Sequence, residues 1–177
     1  IVDADMMMNA PKGLTSASGI DAVTHALEAI ASIMATDYTD GLAMKAVKTV
    51  FDYLPSAYEN GANDPIAREK MANASCQAGV AFANAFLGIN HSMAHKLGAF
   101  HHLPHGVANA IILPTVMEYN AEATGTKYKD IAEAMGVDTT GMSQEEYRKA
   151  AVDAVRQLSQ DVGIPADLKD IVKAEDL

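Results

Sequence analysis

The sequence predicts an all-α protein, a bundle of helices, and three observations support this fold class. Of the 177 residues, 49% are hydrophobic but only 6% are aromatic, and the abundant alanine and methionine lose little on entering a helix. Several segments repeat apolar residues at alternating spacings of three and four, the pattern of a helix with one buried face. No internal repeat or convincing pair of strands accompanies them. The length predicts one domain with a sizeable core.

The first fifteen residues are predicted to lie outside the bundle. Residues 1–5 are interpreted as the tail of a strand, and residues 9–13 contain the proline and glycine of a turn or loop. The chain begins without methionine and stops at Leu177, where a new segment is starting. We therefore expect a fragment, with residues 1–15 as the end of a preceding domain and a linker. Residues 16–177 are then a helical domain, truncated at its C-terminus.

The first two helices are predicted from their apolar stripes and end signals. The first is expected from about Ser18, as a possible N-cap, to Met34; its stripe comprises Ile20, Val23, Leu27, Ile30 and Met34. The second is expected over about residues 39–58. Pro55 should bend or end it, and Gly61 should close it.

The third helix, over about residues 66–86, has the clearest start signal. Asp64 can cap it, and Pro65 suits the first helical position. The segment is crowded with small side chains, so we expect it in the middle of the bundle, where neighbouring helices can approach closely. Cys76 is expected to be a small core residue. As the single cysteine it cannot build a disulfide framework, which favours a reducing, cytoplasmic setting.

Three further helices complete the prediction. A largely apolar one is expected over residues 107–119, with Pro114 as a bend, and a short one over residues 129–135. The last is expected over residues 144–162, because Ser143 and Glu146 have the spacing of a capping box. Gly163 and Pro165 should end it.

The overall charge excludes two classes of partner. A formal net charge of −10 provides no basic face for nucleic acid, and it disfavours an anionic membrane surface equally. No stretch reaches the ~18 uninterrupted apolar residues of a membrane span, and no signal-peptide pattern opens the chain.

The histidines are the main candidates for chemistry. Five of the six lie within fifteen residues, at positions 91, 95, 101, 102 and 105, and the sixth, His25, follows Asp21 by four residues. Residues four apart share one helical face, so Asp21 and His25 can reach the same point, and they lie off the apolar stripe. His91 and His95 repeat the spacing. Aspartate and histidine without thiolates suit a divalent metal such as iron or zinc.

Helical geometry limits how the histidines can meet. One straight helix would separate His91 from His105 by ~21 Å, so a shared ion requires the chain to fold back, and Gly98, Pro104 and Gly106 offer places to do so. His101 and His102 are adjacent and point in different directions, so at most one should lie near the site. Solvent-exposed positions suit both better. Spacing alone leaves open which of His91, His95 and His105 are ligands.

Four segments resemble the signature of iron-containing alcohol dehydrogenases: residues 11–15, 19–28, 90–100 and 104–110. The similarity covers nearly the whole chain, and the motifs are long and in the family's order. Residues 51–55 and 83–88 are further similar to the alcohol dehydrogenase part of bifunctional aldehyde–alcohol dehydrogenases.

The resemblance implies roles for individual residues. The family's metal ligands fall on Asp21, His25, His91 and His105. His95 falls where the family places a histidine beside substrate and nicotinamide. Three further positions, Leu14 and less directly Met7 and Met8, match the lining of the cofactor cleft.

The resemblance also implies what the chain contains. Residues 1–15 become the end of a nucleotide-binding domain with its linker, and residues 16–177 the helical, metal-binding domain of a two-domain dehydrogenase. The nucleotide-binding domain itself is absent, and no Gly-x-Gly-x-x-Gly occurs. We therefore expect this polypeptide alone to be inactive as a dehydrogenase, with an apolar cleft face.

The implied activity is the interconversion of a small aldehyde and a primary alcohol with NAD(H), using Fe²⁺, or Zn²⁺ as the alternative ion. The sequence does not choose between NAD and NADP. A homo-oligomer is expected, extended to a filament if the chain is part of a bifunctional enzyme. The alternative within the family is a zinc- or iron-dependent polyol or lactaldehyde oxidoreductase.

Two other classes of function compete. A helical, metal-dependent phosphohydrolase would need an adjacent His-Asp pair and a cluster of arginine or lysine, and neither occurs. A non-catalytic assembly module would leave the histidines in purely structural roles. Metal binding that disappears on changing Asp21 would exclude that module.

Overall fold

A computed structural model describes residues 1–169 and 171–172, and over this part the chain is helical with no strand. The helices are α1 (Lys12–Ala31), α2 (Asp37–Asn60), α3 (Pro65–Ala85), α4 (Ile89–His101), α5 (His105–Asn120), α6 (Lys127–Ala134) and α7 (Gln144–Asp161), with short 3₁₀ turns at Ala4–Met7 and Gly61–Asn63. The predicted all-α class is confirmed. The strand tail expected at residues 1–5 is wrong, because Asp3 accepts a hydrogen bond from the Asp5 N–H (3.0 Å) and starts the first 3₁₀ turn.

Helix α1 begins earlier and ends sooner than expected. Pro11, in extended conformation, precedes its first residue, and proline is tolerated there because the helix needs no bond from that nitrogen. Ser18 is therefore not a cap; its hydroxyl donates to the Leu14 carbonyl (2.7 Å) within the helix. Ser32 returns to extended backbone, which leaves Met34 outside.

The two internal prolines do not end their helices. Pro55 lies inside α2 and Pro114 inside α5, and both helices continue to an asparagine several residues later. A proline costs a helix one hydrogen bond and some strain, which packing of the surrounding turns can offset. The capping box of Ser143 and Glu146 is confirmed at the start of α7, with both reciprocal bonds present.

The expected start of α3 is confirmed, because Asp64 accepts from the Ala67 N–H (2.9 Å) and Pro65 is the first helical residue. The central position predicted for α3 is wrong. Helix α1 occupies the middle, in contact with α2, α3, α5 and α6, whereas α3 packs against α1 and α2. The small side chains serve this one-sided contact, so Cys76 is exposed rather than in the core.

A tight turn and one glycine position α4 and α5. The chain reverses after His102, which caps α4 in the left-handed conformation (φ 55°), and α5 starts at His105. A Cβ on Gly106 would lie 2.2 Å from the Ala17 carbonyl oxygen, so only glycine lets α5 approach α1 this closely. The fold-back predicted between His91 and His105 is confirmed. No described helix is long and apolar enough to cross a membrane.

Candidate metal centre

Four side chains from three helices converge beside α1. Asp21 and His25 belong to α1, His91 to α4 and His105 to α5, and one possible ligand atom of each lies within 4.8 Å of the others. The Asp21 Oδ1 atom is 3.4 Å from His91 Nε2 and 3.5 Å from His105 Nε2. Bonds of ~2.0–2.3 Å to a tetrahedral ion place ligand atoms ~3.3–3.8 Å apart. These two separations already suit a bound ion, whereas the most widely separated ligand atoms would have to move closer together.

Burial changes steeply across the cluster. The His91 side chain is 3% exposed, whereas that of His105 is 45% exposed. Asp21 and His25 are intermediate. The site therefore has a closed side at α4 and an open side at the start of α5, from which a small molecule can approach.

The carboxylates of Asp21 and Glu28 favour positive charge at this point. Burial lowers the pKa of His91, but the carboxylates of Asp21 and Glu28 outweigh that effect and raise it to about 9. Burial raises the pKa of Asp21, but His91, His25 and His105 together hold it below its usual value. A proton on His91 thus supplies charge that a bound cation would otherwise provide.

His25 responds in the opposite sense. Its pKa is lowered, first by burial and further by the neighbouring histidines, against the opposing effect of Asp21. A neutral imidazole is the form that binds metal. The Nε2 atom of His91 is also buried without a hydrogen-bond partner. One carboxylate and three imidazoles, one of which has this unpartnered buried nitrogen, fit a divalent cation.

Glu28 is a residue of this site that the sequence analysis missed. It is 5% exposed, and its Oε1 accepts from the backbone N–H groups of Gly88 (3.1 Å) and Asn90 (2.8 Å). Its Oε2 makes a short hydrogen bond with His91 Nδ1. The available signal was its position seven residues after Asp21, on the helical face that Asp21 shares with His25.

Two buried asparagines, also missed, link α4 and α5 to Asp21. Asn109 Nδ2 donates to Asp21 Oδ1 (2.7 Å) and lies 3.1 Å from His105 Nε2. Asn90 Nδ2 in turn donates to Asn109 Oδ1 (2.9 Å). Both asparagines are fully buried, so they fix the Asp21 carboxylate relative to α5. Asn109 follows His105 by four residues, which was the only sequence signal.

Stacked rings hold His25 in place. Phe82 of α3 stacks on His25 with ring centroids 4.5 Å apart, and His25 stacks on His91 at the same distance. Both ring pairs are close to parallel, with interplanar angles of 21° and 16°. His25 therefore lies between the two, and Phe82 shields one of its faces from water.

His95 lies at the rim of the cluster rather than within it. Its ring stacks on His105 with centroids 5.3 Å apart and meets His91 edge-on at 6.2 Å. His101 and His102 lie at the far end of α4, with His102 exposed. His95 is thus the histidine next to the four converging residues.

Two of the positions predicted to line the cofactor cleft form part of a shallow groove. Met7 and Leu14, both partly exposed, line about 190 Å³ between the first 3₁₀ turn, α1 and α3. Met8 is half-buried and is not among the residues of that groove. The side chain of Arg68 closes its base, donating to Thr15 Oγ1 (2.8 Å) and the Ala10 carbonyl (2.9 Å).

Comparison with known proteins gives a consistent match. Residues 15–177 match the family model of the C-terminal part of the Fe-containing alcohol dehydrogenase family. Lactaldehyde reductase of Escherichia coli K12 is 50% identical over 99% of this chain and 46% of its own length. Bifunctional aldehyde-alcohol dehydrogenase AdhE of the same organism is 40% identical over 96% of this chain and 21% of its own length.

A crystal structure of 1,3-propanediol oxidoreductase superposes on the helical bundle with a TM-score of 0.95. It is 47% identical, over 98% of this chain and 46% of the other. The chain therefore spans about half the length of the lactaldehyde reductase and of the propanediol oxidoreductase.

Proposed function

Because this chain belongs to the iron-containing alcohol dehydrogenase family, we propose that it is the metal-binding part of an enzyme that interconverts a small aldehyde and a primary alcohol with NAD(H). The observation that carries the proposal is the convergence of one carboxylate and three imidazoles within 4.8 Å. Neither a phosphate-binding cluster nor an assembly surface would need these four groups to meet at one point.

The proposed ligands are Asp21, His25, His91 and His105, and the proposed ion is Fe²⁺, with Zn²⁺ as the alternative. Nitrogen and oxygen donors without thiolates accept both ions. Three neutral imidazoles and one carboxylate leave a divalent ion with a net positive charge. Bound there, the ion supplies a Lewis acid for the substrate oxygen, and the nicotinamide supplies or accepts the hydride.

The side chains of this chain position the reactants and move the proton. The open side at His105 admits the substrate, while Phe82 and the buried residues of α4 exclude water from the opposite side. His95 stands at the rim, beside His105, where an imidazole can pass a proton between the substrate oxygen and solvent. We propose that it is the catalytic histidine.

The groove lined by Met7 and Leu14 is the proposed edge of the nicotinamide cleft, with Met8 beside it. The rest of the dinucleotide would contact a nucleotide-binding domain outside this chain. The homo-oligomer, and the filament of a bifunctional form, stay predictions.

A second candidate substrate class is a hydroxylated aldehyde or diol. Identity is 50% with a lactaldehyde reductase and 47% with a 1,3-propanediol oxidoreductase, against 40% with a bifunctional enzyme. Comparing kcat/KM of the full-length protein for lactaldehyde, 3-hydroxypropionaldehyde and acetaldehyde separates the classes. A preference for acetaldehyde would favour the simple aldehyde over the hydroxylated one.

The ligand assignment is tested by metal content. The full-length protein is stripped of metal, reloaded with Fe²⁺ or Zn²⁺, and assayed for bound ion and aldehyde reduction. Asp21→Ala should lose both. Asp52→Ala is the matched control, because Asp52 also has a basic partner four residues away but lies on the surface of α2, and it should lose neither. One ion per chain in Asp21→Ala would contradict the assignment.

A further inference from the structure

Glu28 makes three hydrogen bonds that all converge on the start of α4. One carboxylate oxygen accepts the backbone N–H groups of Gly88 and Asn90, and the other contacts the Nδ1 atom of His91. The first N–H groups of a helix have no partner within it, so Glu28 satisfies two donors at the N-terminus of α4. A carboxylate there is also favoured by the helix dipole.

The contact with His91 decides which ring nitrogen carries a proton. A carboxylate only accepts hydrogen bonds, so the Nδ1 atom of His91 must donate. In the neutral ring the other nitrogen, Nε2, is then unprotonated, and this is the atom that lies 3.4 Å from Asp21 Oδ1 with no hydrogen-bond partner. The free lone pair of His91 Nε2, which can bind a metal ion, therefore faces the metal centre.

We propose that Glu28 is a positioning residue for the metal, acting through His91. The proposal rests on the metal site proposed above. Glu28 holds the His91 ring in the orientation and tautomer that present Nε2, and it makes that nitrogen a stronger donor. Mutating a carboxylate partner of this kind typically lowers the metal affinity of a site ~10–100-fold.

Position along the chain supports a dedicated role. Glu28 is buried, and 63 residues separate it from His91. Burial of an unpaired carboxylate is costly. All three hydrogen bonds that the Glu28 carboxylate accepts come from residues 88–91. A Cβ on Gly88 would come within 3.0 Å of the Glu28 Oε1 atom, so the carboxylate is in close contact with this segment.

The test replaces the hydrogen-bond acceptor of Glu28 that faces His91 with a donor, in a side chain of nearly the same shape. Glu28→Gln in the full-length protein can keep both backbone bonds through its amide oxygen. Its amide nitrogen then faces His91 Nδ1 and donates to it, which moves the ring proton to Nε2. Glu133→Gln is the matched control, because the Glu133 side chain also accepts a hydrogen bond, from Thr139, but lies on α6.

We expect the dissociation constant for Zn²⁺ to rise ~10–100-fold in Glu28→Gln, in a metal-free variant that circular dichroism shows to be still folded, with no effect of Glu133→Gln. Zinc is diamagnetic, so ¹⁵N spectra of the histidine-labelled, zinc-bound protein should show the Nδ1–H form of His91 in the wild type. A normal zinc affinity in Glu28→Gln, with a wild type that binds zinc, would overturn the role of Glu28 alone. A wild type that binds no zinc would instead refute the metal site itself.

Discussion

Replacing Gly106 with alanine tests how closely α5 must approach α1 to form the metal centre. The added Cβ would lie 2.2 Å from the Ala17 carbonyl oxygen and 2.6 Å from its carbonyl carbon. Ordinary contact begins at 3.4 Å, and the obstacle is helix backbone rather than a flexible side chain. The two helices must therefore separate by about 1 Å, a displacement that overpacking studies associate with ~1–3 kcal/mol.

This displacement should reach the metal site directly, because Gly106 follows the proposed ligand His105. At ~2–4 °C per kcal/mol for a domain of this size, the unfolding temperature should fall by ~2–12 °C, and zinc affinity should fall with it. Thermal unfolding monitored by circular dichroism, with and without zinc, measures both effects.

The control is Gly41→Ala on α2, where a Cβ meets nothing within 4 Å. Alanine is favoured over glycine inside a helix by ~0.5–1 kcal/mol, so this variant should be slightly more stable. If Gly106→Ala were stabilised to the same degree, the close approach of α5 to α1, and its role in placing His105, would be refuted.

Three further outcomes are expected. His91→Ala should lower metal occupancy, because three ligands hold an ion less well than four. His95→Ala should instead keep the metal and change turnover and its pH profile. Equal metal loss in the two variants would make His95 a ligand. Arg68→Met should destabilise the protein by ~1–3 kcal/mol, since one buried and one partly buried hydrogen bond are lost, and a neutral result in denaturant unfolding would contradict this. The 177-residue chain alone should bind NADH very weakly and reduce no aldehyde even when loaded with iron, because none of its residues form a Gly-x-Gly-x-x-Gly pyrophosphate loop; steady turnover would show that the cofactor site is misplaced.

The apolar cleft face expected for the isolated chain has a partial counterpart in the structure. Met7 and Leu14 expose 43% and 57% of their surface beside the groove, but the same groove contains Thr15, Ser18 and Ser75. Its lining is nevertheless mostly apolar, because Ala10, Ala22, Met71 and Ala72 also line it.

Local signals in the sequence predicted six of the seven described helices, all except α4, and half of the site. The capping box at Ser143 and the Asp64-Pro65 start were predicted because caps depend on residues within one turn. The spacing of Asp21 and His25 shows that they share a face, since this follows from helical geometry alone. By contrast, Pro55 could be placed inside a helix only by the packing around it, which no local rule describes.

Tertiary structure decided which distant groups meet. Spacing left open which of His91, His95 and His105 point inward, and the turn at His102 together with the close approach at Gly106 resolves their arrangement. Glu28 joins the site through contacts 60 to 63 residues away, and its position on the face of Asp21 and His25 does not by itself reveal those partners. Burial makes these long-range hydrogen bonds obligatory, and burial exists only once the helices have packed.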